Sequence, residues 1–319
     1  MLKVYDVTGA AGGESFLVVS MKSAILVDAG FIFSAEAMVD KIAKILGKRN
    51  LDYILLTHSH YDHAGGIGVL REAYPSAKVV GSAHTAKTFR SDHALAGMVD
   101  LDINAAMIHG QSDYTGANVT KYIKGMNTEP NTSTFLSDNG KFLHIFHVDE
   151  PVSEGDIINA ADLTIHVYDT PGHTRGDSSY YFEEDRLLVA AETLGVFISE
   201  DFLVPALIVS YEKTIESIEK LSSLNPTRVI IPHFGLIEGR TVDLYFKKAY
   251  EAADEAVRIL KAGIKDGKTK QEILEDYKNA YYPGAKAESV VMQPEEAFLI
   301  NFNALIPRIA EELDLTIPQ

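Results

Sequence analysis

Cysteine is absent from the 319-residue chain, and that absence excludes disulfides, thiolate nucleophiles and Cys-ligated zinc at once. Any metal must then be held by histidine and carboxylate. No segment approaches the roughly 18 consecutive apolar residues of a membrane-spanning helix, so no membrane partner is expected. Basic residues are scarce, 29 Lys and Arg against 45 Asp and Glu for a formal net charge of −16. They form no cluster, which disfavours nucleic acid as a partner. The opening Met1-Leu2-Lys3-Val4-Tyr5-Asp6 lacks the basic-then-apolar pattern of a secretory signal, and the expected location is the cytoplasm.

What is present is ordinary globular sequence, 46% hydrophobic, of a length suited to one large domain or one domain with an appendage. Residues 1 to 30 alternate apolar runs with small-residue turns and predict a β-meander. Ser34 is placed to cap a helix with Met38, Ile42, Ile45 and Leu46 on its apolar face, stopped at Gly47. A short strand over Tyr53 to Leu56, a helix from Gly66 to Tyr74 and a strand at Lys78 to Gly81 then argue for an α/β layer arrangement. Residues 84–147 read as an insertion, helical from Ala94 to Met107 and polar from Gly110 to Asn139. Excursions of this kind are often functional, and a lid is expected, with Tyr114, Tyr122 and Phe135 either lining it or anchoring a core of its own.

Further strands are expected at Leu163–Tyr168, Tyr180–Phe182, Arg186–Ala191 and Arg228–Ile231, with a hairpin turn at Glu154-Gly155-Asp156 and a helix over Glu212 to Leu224. Beyond Val242 the pattern is helical: Val242 to Lys261, a second helix opened by the capping box Thr269-Lys270-Gln271-Glu272, and a third over Glu295 to Leu313 interrupted near Pro307. These helices carry no ligand cluster and read as a scaffold or dimerisation layer.

The chemistry concentrates in Thr57-His58-Ser59-His60-Tyr61-Asp62-His63. His58 and His60, two apart on extended chain, face one side, while Asp62 and His63 fall where the chain turns into a helix and suit a second ion. Two-metal sites hold their ions about 3.5–4 Å apart, so four ligands in six residues suffice for two half-sites. Three later strands each end in one ligand-type residue: His173 in Pro171-Gly172-His173-Thr174, Glu192 after Arg186–Ala191, and His233 in Pro232-His233-Phe234-Gly235.

In this signature and motif order the sequence resembles the metallo-β-lactamase superfamily, and Val152 to Tyr181 is similar to glyoxalase II. The resemblance implies a four-layer αββα sandwich over residues 1–241; it does not cover the 84–147 insertion, a possible lid, or residues 242–319, a C-terminal helical extension. It implies two divalent metal ions, zinc first, with iron or manganese as alternatives. One would be held by His58, His60 and His173, the other by Asp62, His63 and His233, with Glu192 bridging where the family usually has Asp.

The expected function is metal-dependent hydrolysis, by a hydroxide formed between two cations, of a small ester, thioester, lactone or phosphoester. Asp62 would also orient the nucleophile or relay a proton. Tyr61, Thr174 and Asp177 are candidates to orient ligands or substrate, and His84 to touch substrate; His166 reads as an ordinary sheet residue. The competing expectations are a diiron oxidoreductase of the same fold and a non-catalytic metal-binding sensor or scaffold. The expected partner is a small-molecule substrate, with a homodimer through the C-terminal helices or the insertion.

Overall fold

The computed structural model describes residues 1–111, 145–288 and 295–318, so the polar stretch with Tyr114, Tyr122 and Phe135 lies largely outside the described residues. The chain divides into two compact units, Met1–Val167 with Phe182–Glu184, and Tyr168–Tyr181 with Asp185–Gln319.

The first unit opens with the expected meander, β1 (Lys3–Asp6), β2 (Phe16–Val19) and β3 (Ala24–Val27), paired antiparallel so that Asp6 faces Phe16 and Phe16 faces Val27. Then β4 (Tyr53–Leu55), β5 (Lys78–Ser82) and β6 (Glu150–Val152) add one after another in parallel. Parallel neighbours need crossovers, here α1 (Ala35–Leu46) between β3 and β4, and α3 (Ile67–Ala73) between β4 and β5. Met38, Ile42 and Leu46 of α1 pack with Leu26, Ile54, Val79 and Leu70 in one core, each worth about 1.5–3 kcal/mol of burial. Ser34 stands at the N-cap of α1 without a side-chain cap bond, and Gly47 ends the helix at φ 60°.

This order puts the C-terminal ends of β3, β4 and β5 along one sheet edge. The chain leaves β4 there and enters the short helix α2 (Tyr61–Ala64). After β5 come α4 (Ala83–Thr88) and α5 (Asp92–Ile108), capped by Ser82 and Ser91.

The turn at Glu154-Gly155-Asp156 does not close a hairpin. It links β6, paired to β5, to β7 (Ile157–Ala160), which pairs with β8 (Leu163–Asp169) instead. The Gly155 turn signal was real, with φ 84°, but which strands a turn joins is set by pairing partners rather than by the turn. The true hairpin closes at Ala161, in left-handed backbone at φ 51°, and Ser23 Oγ ties it to the meander by donating to Ala160 O at 2.7 Å.

In the second unit, β9 (Ser178–Phe182), β10 (Leu187–Val189), β13 (Arg228–Ile231) and β14 (Gly235–Glu238) lie in the order β14-β13-β10-β9. The small pair β11 (Val196–Phe197) and β12 (Leu203–Val204) precedes α6 (Tyr211–Ser223), which buries Ile218 and Leu221. Three helices follow, α7 (Arg240–Lys265), α8 (Lys270–Glu288) and α9 (Glu295–Glu312). The capping box at the start of α8 is formed: Thr269 N donates to Glu272 Oε2 at 2.8 Å and Glu272 N to Thr269 Oγ1 at 3.4 Å.

Pro307 does not interrupt α9, which runs continuously through it. An internal proline costs about 3 kcal/mol, and the fully buried Leu305, Ile306 and Ile309 around it outweigh that at about 1.5–3 kcal/mol each.

Candidate metal centre

In the first unit the chain leaves β4 in extended conformation, with His60 at φ −69°, ψ 156°. His58 and His60 bring their ring centroids to 4.5 Å, and His63, from the first turn of α2, lies 4.1 Å from His58. Asp62 Oδ2 is 3.7 Å from His63 Nε2. His58 and His63 are fully buried.

The buried residue that orders this cluster is Asp28, directly after β3 and in left-handed backbone at φ 56°. Its carboxylate accepts from Thr57 N at 2.8 Å and from Thr57 Oγ1 at 2.9 and 3.1 Å. It also pairs with His63 Nδ1 at 2.9 Å. A carboxylate only accepts, so His63 carries a proton on Nδ1 and turns Nε2 toward Asp62. The Thr57 hydroxyl spends its one proton on Asp28 and therefore accepts from His58 Nδ1 at 3.1 Å, which gives His58 the same tautomer. Sequence reading missed Asp28; the available signal was an acidic residue ending a wholly apolar strand.

In the second unit His173 sits in the loop after β8, Glu192 begins a single 3-10 turn after β10, and His233 follows β13 in left-handed backbone at φ 61°. One oxygen, Glu192 Oε2, lies 3.2 Å from His173 Nε2 and 3.5 Å from His233 Nε2. His173 Nδ1 meets Ala206 O at 2.6 Å, and a carbonyl likewise only accepts, so this imidazole too presents its Nε2. Burial pulls the His173 pKa down, but the Glu192 carboxylate outweighs it and lifts it to about 9. Burial pushes Glu192 up, and the two imidazoles hold it well below the usual carboxylate range.

The loop carrying His173 is held by hydroxyls. His173 N donates to Thr193 Oγ1 at 3.0 Å, and that hydroxyl oxygen also lies 2.7 Å from Thr170 O. The Asp177 carboxyl takes the hydroxyls of Thr174 and Thr193 and the backbone N of Thr174; burial pushes its pKa up. Thr174 and Asp177 are thus joined to the His173 loop, whereas Tyr61 packs on Phe31 with ring centroids 5.7 Å apart. His84 is half-buried in the first turn of α4. His166 pairs with Glu183 at 3.1 Å, as an ordinary sheet residue would.

Each unit therefore assembles its own share of the predicted ligands, His58, His60, Asp62 and His63 in one and His173, Glu192 and His233 in the other. Residues 8–233 match the profile of the metallo-β-lactamase superfamily, and the chain belongs to that superfamily. Its fold is the metallo-β-lactamase fold, mixed α/β with a helical region at the C-terminus, as the signature implied.

Among curated relatives, a hydroxyacylglutathione hydrolase of Rhodopseudomonas palustris is 28% identical over 141 residues, 44% of this chain and 33% of that protein. The chain thus spans about a third of that relative's length. A metallo-β-lactamase fold-containing protein of Sulfurisphaera tokodaii is 22% identical over 78% of this chain and 83% of its own. Among solved structures, a metallo-β-lactamase family protein of Thermus thermophilus superposes with a TM-score of 0.60 at 18% identity, covering 98% of this chain and 94% of that one. No helix among the described residues is long and apolar enough to cross a membrane.

Proposed function

We propose that the two ligand sets form one binuclear metal centre and that the protein is a metal-dependent hydrolase of a small ester, thioester, lactone or phosphoester. The observation that carries this is the Glu192 carboxylate oxygen shared by two imidazole Nε2 atoms at 3.2 and 3.5 Å, the arrangement a bridging carboxylate takes.

The donor set fits a divalent cation. His58, His63 and His173 each have Nδ1 engaged by a fixed acceptor, which directs Nε2 to a cation that would displace any proton there, and such outer partners are the usual support of metal-binding histidine. With no cysteine in the chain, nitrogen and carboxylate ligands suit zinc first, with iron or manganese as alternatives. In this reading His58, His60 and His173 hold one ion, Asp62, His63 and His233 the other, and Glu192 both. When bound, two such ions acidify a water and polarise a carbonyl or phosphoryl oxygen.

The chain's own contribution is positional. Asp28 and Ala206 O fix imidazole rotation, the Asp177–Thr193 network fixes the His173 loop, and Asp62 accepts the proton that the attacking water gives up. The name of the Rhodopseudomonas relative makes a hydroxyacylglutathione one probe for the substrate panel. The expected setting is the cytoplasm, with a small molecule as partner.

The test joins metal analysis to a panel of ester, thioester, lactone and phosphoester substrates. Two equivalents of a divalent metal, hydrolysis of at least one class and its loss in His60→Ala are expected. Purified protein that binds no divalent metal, or activity unchanged in His60→Ala, sinks the reading.

A further inference from the structure

We propose that the C-terminal helices α8 and α9 are a positioning clamp for His173, acting through residues 205–212. This rests on the reading of His173 as a metal ligand. The ring orientation of His173 depends on a backbone carbonyl, Ala206 O, at 2.6 Å. A carbonyl is only as well placed as the segment that carries it, and this segment runs from the end of β12 into the first turn of α6, with no regular structure over residues 205–210.

The segment is held on both sides. Toward the site, Ile208 N and Val209 N donate to Gly172 O at 2.9 and 2.8 Å. Gly172 precedes His173, so these two bonds join the segment to the very loop it must orient and give it no independent reference. Away from the site, three residues of the last two helices supply that reference. Tyr277 of α8 donates its hydroxyl to Pro205 O at 3.3 Å. Arg308 of α9 donates from Nη1 to Ile208 O at 3.0 Å. Glu312 of α9 accepts from Tyr211 N at 3.1 Å and Glu212 N at 2.7 Å at the start of α6.

Backbone groups on both sides of Ala206 are thereby tied to helices that sit in the unit's main core. Tyr277 is buried and stacked on Phe302, ring centroids 3.6 Å apart at 8°. Leu207 is buried in the same core. Loosening the clamp lets Ala206 O drift, and His173 loses the acceptor that fixes its tautomer and rotation. Arg308, Glu312 and Tyr277 are positioning residues: their bonds go to backbone groups of residues 205–212 and not to the side chains of the candidate ligands.

The test uses the full chain, with the double variant Arg308→Met/Glu312→Ala, the conservative Tyr277→Phe, and Arg258→Met as control. Arg258 is an exposed residue of α7 whose guanidinium donates to Glu255 one turn earlier on the same helix, and it makes none of the bonds to residues 205–212. Metal affinity is measured by chelator competition, and the Co(II)-loaded protein is followed by NMR for exchange of the His173 Nδ1 proton, assigned by histidine labelling. The double variant is expected to bind metal about 10-fold more weakly, the low end for loss of an outer partner of a ligand, with faster exchange of that proton. Tyr277→Phe is expected to move both readouts in the same direction by less, and the control to move neither.

A general loss of stability would lower the melting temperature of the metal-free protein without selecting this one proton. Wild-type affinity and exchange in the double variant overturn the clamp. Should that variant not fold, Tyr277→Phe decides alone: it keeps the ring stack, and unchanged exchange in it overturns the clamp. Wild-type protein that binds no metal overturns the proposed function, and the clamp with it.

Discussion

Asp28 and His63, 35 residues apart in sequence, meet at 2.9 Å because β3 and β4 are parallel neighbours whose ends lie side by side. The same carboxylate takes the backbone and hydroxyl of Thr57, so one buried acid sets the strand end and, through it, two imidazoles.

Replacing Asp28 by Ala therefore strips acceptors from a buried N–H, a buried hydroxyl and an imidazole. At about 1–3 kcal/mol for a buried group left unsatisfied, the loss of stability should be about 3 kcal/mol by chemical denaturation. Metal affinity should fall about 10–100-fold. A variant that keeps wild-type metal affinity would show that Asp28 serves the fold alone.

Metal-free protein should be most stable between pH 4.5 and 6.5, the ordinary values of Glu192 and His173. The folded-state pKa of His173 is raised, so its contribution is complete below 6.5 and fades as pH rises toward about 9. That of Glu192 is lowered, so its contribution is present above 4.5 and lost as pH falls further. Both describe one ion pair and are counted once, at about 3 kcal/mol from the His173 side. Melting temperatures of chelator-treated protein at pH 5.5 and 9.5 check this: the wild type should fall across that interval and Glu192→Gln should not.

Gly172→Ala should damage the site without touching a ligand. A Cβ there would come within 2.5 Å of Thr193 Cγ2 and closer still to Thr214 Oγ1, and neither short β-branched side chain has room to retreat. A cost of about 1–3 kcal/mol is expected, together with weaker metal binding. Wild-type metal affinity in the variant, measured by chelator competition, would show that the His173 loop absorbs the methyl group without moving.

Tyr245 on α7 is fully buried, and its hydroxyl has no hydrogen-bond partner among the described residues. Burial, and secondarily the Glu192 carboxylate, push its pKa above any usable pH. Tyr245→Phe keeps the edge-on packing against Phe197 and removes only the desolvated hydroxyl, so stability should rise by about 1 kcal/mol. A loss of that size by urea denaturation would reveal a partner for the hydroxyl.

Local chemistry made much of this protein legible from sequence. The period of two brings His58 and His60 to one side, the period of 3.6 gives α1 its apolar face, and Thr269 and Glu272 cap α8 as their spacing required. The same local signals mislead at Glu154-Gly155-Asp156, where the turn is real but the strands on either side of it pair elsewhere, and at Pro307, where burial of Ile306 and Ile309 carries the helix through.

The sequence by itself determined the superfamily and the residue types of the candidate centre, because a ligand run and strand-end histidines are written in side chains. Only the tertiary structure decided what orders them. Asp28 reaches His63 through strand adjacency, and Ala206 reaches His173 through a carbonyl that every residue possesses. A backbone acceptor leaves no trace in residue type, so its role emerges only once distant segments are packed together.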